Sequence, residues 1–175
     1  MFKVRDGDVQ QLSVLFDRHH RMLYNFFLRL TSNQHVSEDL VQEVFLRILK
    51  YRHTYKGDSK FTVWMFRIAR NARVDYFRKN RKAQHDDIEE KNLYSEEPNP
   101  DQLLERGQDV DLLKSALDKI PVEDREVLML SRFEQIKYRE IAHILGCMEG
   151  TVKARVHRAM GRLRDTFFEL SGETS

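Results

Sequence analysis

Proline and glycine are scarce, three and seven in 175 residues, which argues against a turn-rich sandwich or barrel. There is one cysteine, Cys147, so no intrachain disulfide can form, and one thiol without neighbouring ligands is a poor start for a zinc site. No apolar run approaches the roughly 20 residues needed to span a bilayer, and the opening MFKVRDGDVQQ lacks the apolar stretch of a signal peptide. A soluble, cytoplasmic protein without membrane insertion is expected. Net charge is nearly absent too. Thirty Lys and Arg against 28 Asp and Glu leave only +2, so any affinity for a polyanion must lie in how the charge is distributed. What the chain has in abundance is Leu, Arg, Glu, Lys and Gln, and these favour an all-α fold.

Periodicity locates the helices. Val9, Leu12, Leu15, Phe16, Leu23, Phe26, Phe27 and Leu30 predict a long first helix behind Asp8 as N-cap. Ser37 is expected to cap a second helix, whose buried stripe is Leu40, Val41, Val44, Phe45, Ile48 and Leu49 and which runs to about Tyr51. RHTYKGDSK, residues 52 to 60, breaks the pattern, and Phe61 opens a third helix reaching about Arg81. From Gln84 to Glu105 eight acids meet one base, and Pro98 and Pro100 interrupt any helix. That composition cannot bury enough apolar surface to order itself and predicts a flexible linker. Beyond it, Leu112, Leu113, Ala116, Leu117 and Ile120 mark a short helix, followed by Pro121 near the start of another. YREIAHILG and GTVKARVHRAMGRLR then form two helical patterns joined by a tight connection. Two small helical domains, 1–83 and 109–175, are thus expected about an acidic linker, 84–108.

The last two patterns have the form of a helix-turn-helix, which presents its second helix to the DNA major groove. At 100° per residue, Val152, Val156, Ala159, Met160 and Leu163 share the face expected to pack on Ile141, Ile144 and Leu145. Opposite lie Lys153, Ala154, His157, Arg158 and Gly161, with Arg155, Arg162 and Arg164 on the flanks. Residues 150 to 164 hold five Lys or Arg and no acid. Solvated helix faces normally mix signs, so this stripe favours nucleic acid. Lys153, His157 and Arg158 aim best at base edges, and Thr151 and Arg155 at phosphates.

The third helix differs. Its apolar arc of Trp64, Met65, Ile68, Ala69, Ala72 and Tyr76 faces away from Arg67, Arg70, Val74, Phe77 and Arg81, with Phe66 and Arg73 alongside. Arginines interleaved with aromatics suit single strands, where bases stack and the backbone is tracked by charge. For Phe66 and Phe77 packing against the first helix weighs slightly more than base contact. On the second helix Asp39, Gln42, Glu43 and Leu46 make an outward stripe that is either a protein-docking face or a solvated one. Catalytic residue types are present without arrangement: His19 and His20 diverge on a helix, and there is no His-Glu-x-x-His, phosphate-cradling loop or nucleophile elbow. No catalytic, metal or cofactor site is expected.

With those residues placed, the sequence resembles the extracytoplasmic-function sigma factors of bacterial RNA polymerase. EDLVQEVFLRIL at 38–49 looks like the helix that docks on the clamp helices of the largest polymerase subunit. YKGDSKFTVWMFRIARNARVDYFRKNR at 55–81 looks like the promoter-melting and minus-ten-reading segment. LDKIPVEDREVLML at 117–130, with the helix-turn-helix after it, is similar to conserved region four, which binds the flap of the second-largest subunit and reads the minus-thirty-five element. The resemblance implies that Gly57, Asp58, Ser59 and Lys60 belong to a loop capturing a flipped minus-ten base, with Asn71 lining the same strand. It implies that Asp39, Gln42, Glu43 and Leu46 meet polymerase, and that Lys153, Ala154, His157 and Arg158 read promoter DNA. It also implies control by a separate anti-sigma factor. The competing expectation is a free-standing helix-turn-helix regulator.

Overall fold

The computed structural model describes residues 1–85 and 107–172. Among these residues there are helices and no strands, and the chain divides into two compact units. The expected acidic linker falls largely outside the described residues.

The first unit comprises α1 (Phe2–Arg5), α2 (Gln11–Thr31), α3 (Gln34–Tyr51), a 3-10 turn (Arg52–Thr54) and α4 (Phe61–His85). The expected first helix is α2, with the short α1 an additional element before it; Asp8 does not cap α2, which starts behind Gln10 after a turn in which the Asp8 carbonyl accepts from Gln11 N–H at 3.2 Å. Ser37 likewise is not the cap of α3. Asn33 takes that place, its side chain accepting from the Val36 N–H at 3.0 Å, while Ser37 is buried and its hydroxyl donates to the Asn33 carbonyl at 2.6 Å. Short polar residues compete for caps, and Asn33 wins because Ser37 lies one turn inside.

Helix α3 packs against both α2 and α4. Leu40, Val41, Val44, Phe45 and Ile48 fill that junction, as the periodicity predicts, whereas Leu49, expected in the same stripe, is half-buried near the end of the helix. Leu23, Phe26, Phe27 and Leu30 supply the α2 face, and Met65, Phe66, Ala69 and Ala72 the α4 face. The Phe66 ring stands edge-on to Phe26 at 5.1 Å and is 1% exposed, so it is core and cannot stack on a base. Burying a ring of this size stabilises by roughly 2–3 kcal/mol.

The second unit is drawn from α5 (Gly107–Lys119), α6 (Val122–Leu128), a π turn (Met129–Phe133), α7 (Tyr138–Leu145) and α8 (Glu149–Ser171). Pro121 stands at the N-cap of α6, where its missing N–H costs nothing. Helix α8 packs on α5 and α6 through Val152, Val156 and Ala159, all buried. Met160, expected in that face, is instead 40% exposed, because the buried arc is narrower than the wheel's apolar sector. Helix α7 ends at Gly146 in the left-handed region (φ 67°), and the Cys147 N–H donates back to the Ala142 carbonyl at 3.1 Å. Met148 then turns extended (ψ 149°), and α8 begins.

Candidate nucleic-acid interfaces

In the second unit, Lys153, Ala154, His157 and Arg158 are exposed along one side of α8, with Thr151 and Arg155 half-buried beside them. Spacing of three and four residues fixes this, since Val152, Val156 and Ala159 occupy the side turned to α5 and α6. The flanks behave differently. Arg162 is bonded to Asp124 of α6, and Arg164 to its neighbour Asp165 at 3.0 Å. Two of the five cations counted in the sequence are thereby tied to acids of the fold. The free part of the stripe is Lys153, Arg155 and Arg158.

The first unit presents a loop and a helix face. Gly57, Asp58 and Lys60 are exposed and Ser59 half-buried in the segment before α4. Gly57 takes a φ of 78°, a conformation costly for any residue with a Cβ. Beneath the loop Tyr55 is buried, its hydroxyl donating to the Ser59 carbonyl at 3.3 Å and its ring edge-on to Trp64 at 5.4 Å. Along α4, Arg67 and Asn71 are exposed and Arg70 is half-buried. Arg73 is 8% exposed, which turns it away from the face where its neighbours lie. Phe77 is half-buried and edge-on to Tyr76 at 5.4 Å.

Arg70 and Asn71 meet Arg47 and Tyr51 of α3, with Val74 and Asp75, around a depression of about 430 Å³. Asp75, the one acid of this helix stretch, bonds Arg47 at 2.8 Å and Arg78 at 2.8 Å. Its carboxyl is held below the usual carboxylate range by the hydrogen bond from Arg47. Arg47 and Tyr51 are absent from the sequence-derived set, because nothing in one helix's pattern says which side chains of the next will cross to it. The Glu43–Arg47 spacing of four is the single local signal.

On α3, Asp39 and Gln42 are exposed and Leu46 is 63% exposed, an apolar side chain held out in solvent. Glu43 is half-buried and accepts from Arg47 Nε at 2.6 Å. His19 and His20 diverge as expected. His19 packs on the Phe61 ring at 5.2 Å, where burial pushes its pKa down, while His20 stacks on Phe16. Among the described residues there is no cluster of ligating side chains able to hold a metal ion.

Two family models match the chain, Sigma-70 region 2 over residues 15–83 and Sigma-70 region 4 over residues 111–163. The ECF RNA polymerase sigma factor SigM of Bacillus subtilis is 33% identical, over 81% of this chain and 86% of that protein. The chain belongs to the extracytoplasmic-function RNA polymerase sigma factors. This sigma factor is also 34% identical to SigE of Mycolicibacterium smegmatis over 92% of its own length, and spans 63% of that relative. Among solved structures, the sigma factor RpoE in complex with the anti-sigma factor NepR from Bartonella quintana is similar, with a TM-score of 0.72 and 28% identity over 88% of this chain and 94% of that one. The α3–α4 loop and face thus lie in region 2 of the sigma factor, and the free stripe of α8 in region 4. Among the described residues no helix is long and apolar enough to cross a membrane.

Proposed function

We propose that this sigma factor works in the cytoplasm, brings core RNA polymerase to a restricted set of promoters and helps to open them, leaving RNA synthesis itself to the polymerase. Region 2 and region 4 are the two reading modules, bounded near 1–83 and 109–175, with 84–108 the tether between them. The observation that carries the reading is the acid-free stretch of α8 from Gly150 to Arg164, with Lys153, His157 and Arg158 exposed within the residues that match region 4. Lys153, Ala154, His157 and Arg158 meet minus-thirty-five base edges, and Thr151 and Arg155 hold phosphates. Gly57, Asp58, Ser59 and Lys60 take the flipped minus-ten base, while Arg67, Arg70 and Asn71 follow the strand; the few kcal/mol of lost stacking are offset by this preformed loop and its cations. Asp39, Gln42, Glu43 and Leu46 dock on the clamp helices, and region 4 on the flap. The relative from Bartonella quintana is bound by an anti-sigma factor, and an analogous partner regulates this chain.

The test is to mix the protein with bacterial core polymerase and map transcript starts on a library of promoter-sized DNA fragments. New, sequence-restricted starts are expected. Tight operator binding with no polymerase association and no new transcript would indicate a free-standing regulator instead. Leu46→Glu should weaken core binding by about tenfold without unfolding the protein, because a 63% exposed side chain carries little of the fold. Unchanged affinity in a pull-down titration would remove Leu46 from the docking face.

A further inference from the structure

The loop read above as the base-capturing segment does not stand alone. Helix α1 lies against it, and the ring of its first residue, Phe2, occupies the space that a Cβ on Gly57 would need. The same ring meets Tyr55 at 5.3 Å, and the Arg5 guanidinium lies over it, 4.8 Å from the centroid. Arg5 also reaches the Tyr55 carbonyl at 3.5 Å and is oriented by Asp6 at 2.7 Å. Tyr55 in turn holds Ser59 and rests on Phe61 and Trp64. A continuous stack therefore runs from Arg5 through Phe2 and Tyr55 to the first turn of α4, with the left-handed Gly57 packed on its flank.

We infer that α1 is a positioning element for strand recognition, in which Phe2, backed by Arg5, holds the Gly57–Lys60 loop in the conformation that receives the unpaired base. Two facts on different segments support this. Gly57 holds a positive φ that favours a residue without a Cβ, and the far end of the Phe2 ring rests in the space beside it, so the loop and the helix meet closely at this point. Phe2 is nevertheless 49% exposed, too much for a residue kept only to fill the core. A preformed loop spares the ordering cost that a mobile one would incur at the moment of binding. Neither Phe2 nor Arg5 touches the base; both act through the loop.

The inference rests on the minus-ten reading of residues 57 to 60, and the experiment separates the two. Full-length protein is assembled with core polymerase. Binding is then measured to a single-stranded oligonucleotide carrying the minus-ten segment of a promoter recovered from the library, and to a minus-thirty-five duplex as reference. Phe2→Ala is expected to weaken strand binding by about tenfold, the upper range for losing one aromatic packing partner, and to leave duplex binding unchanged. Phe2→Tyr, which keeps the ring, should restore it. Gly57→Ala should weaken strand binding more in the native background than in Phe2→Ala, because removing the ring relieves the clash. Wild-type strand binding by Phe2→Ala, while Asp58→Ala and Lys60→Ala lose it, would overturn the role of α1 alone. Indifference of the strand to all of these variants would overturn the loop reading and the role of α1 with it. Equal losses on strand and duplex would reduce Phe2 to a general structural residue and overturn the inference as well.

Discussion

On α4 the cations face an acid, whereas on α8 the stretch from Gly150 to Arg164 carries cations and no acid. Asp75 binds Arg47 and Arg78, and Arg73 is folded away from solvent, so the strong positive count of the α4 stretch is partly spent within region 2. The acids of α8 stand at its two ends, Glu149 before and Asp165 and Glu169 beyond the stretch 150–164, Asp124 of α6 takes Arg162, and Lys153, Arg155 and Arg158 remain for a ligand. Aromatics divide the same way. Region 2 buries Phe26, Phe27, Phe66 and Tyr55, while in region 4 α8 packs through small and β-branched residues, Val152, Val156 and Ala159. A single strand must be shaped as well as attracted, which favours a stiff aromatic bed with local, fixed charge. A duplex arrives already shaped and asks mainly for an unobstructed basic helix.

The contrast can be broken most severely at Phe66. Phe66→Ala should cost on the order of 3–5 kcal/mol by leaving a cavity against Phe26, and thermal unfolding should show region 2 melting early while duplex binding by region 4 persists. Survival of the melting temperature would mean that the ring is not core. Next in size is Arg158→Ala, expected to cost about 1–3 kcal/mol on the preferred duplex and to relax choice at one base pair. Anisotropy titrations over single-base variants check it; equal loss on every sequence would make Arg158 a phosphate contact.

Asp75→Asn sharpens the comparison in the opposite direction. Releasing Arg78, and leaving Arg47 with Glu43 as its one remaining carboxylate, should raise strand affinity a few-fold and steepen its dependence on log salt by about 0.7 for each phosphate newly neutralised, at a stability cost under about 1 kcal/mol. An unchanged salt slope would show that those arginines stay with the fold. The smallest effect concerns pH. Burial against Phe61 lowers the His19 pKa from its ordinary 6.5, so below that value the unfolded chain takes up a proton before the folded one does. The stabilisation is complete above pH 6.5 and fades as pH falls through 6.5 toward the lowered folded value. His19→Leu should flatten the decline in region 2 melting temperature between about pH 7.5 and 5.5 by less than one proton, and an unaltered slope would assign the decline to other histidines.

Much of this was legible in the sequence because helices repeat at a fixed interval. The buried stripe of α3, the turn at Gly146 and the exposed set Lys153, His157 and Arg158 all follow from counting. What escaped depends on contacts between segments. No period tells that Phe2 closes over Gly57, 55 positions away, or that Arg47 crosses to Asp75. Caps were misread where polar residues compete, as Asn33 and Ser37 do, and the π turn at Met129 has no compositional mark distinct from an ordinary helix end. The charge sum for α8 was right, yet it could not tell Arg158 from Arg162, since the distinction lies in Asp124, 38 residues upstream of Arg162.

Helix α8 is a poor helix on its own terms. It carries Gly150 and Gly161 and the branched residues Thr151, Val152 and Val156, each of which lowers intrinsic propensity, over a span of 23 residues. Its shape comes from α5 and α6, on which it lies. The exposed side chains Lys153, His157 and Arg158 consequently have no organised existence apart from the folded unit, and the concentration of a correctly presented stripe equals the concentration of folded region 4. Where that unit sits close to its unfolding threshold, each further 1.4 kcal/mol lost removes about nine-tenths of the remaining folded copies, and with them the organised stripe.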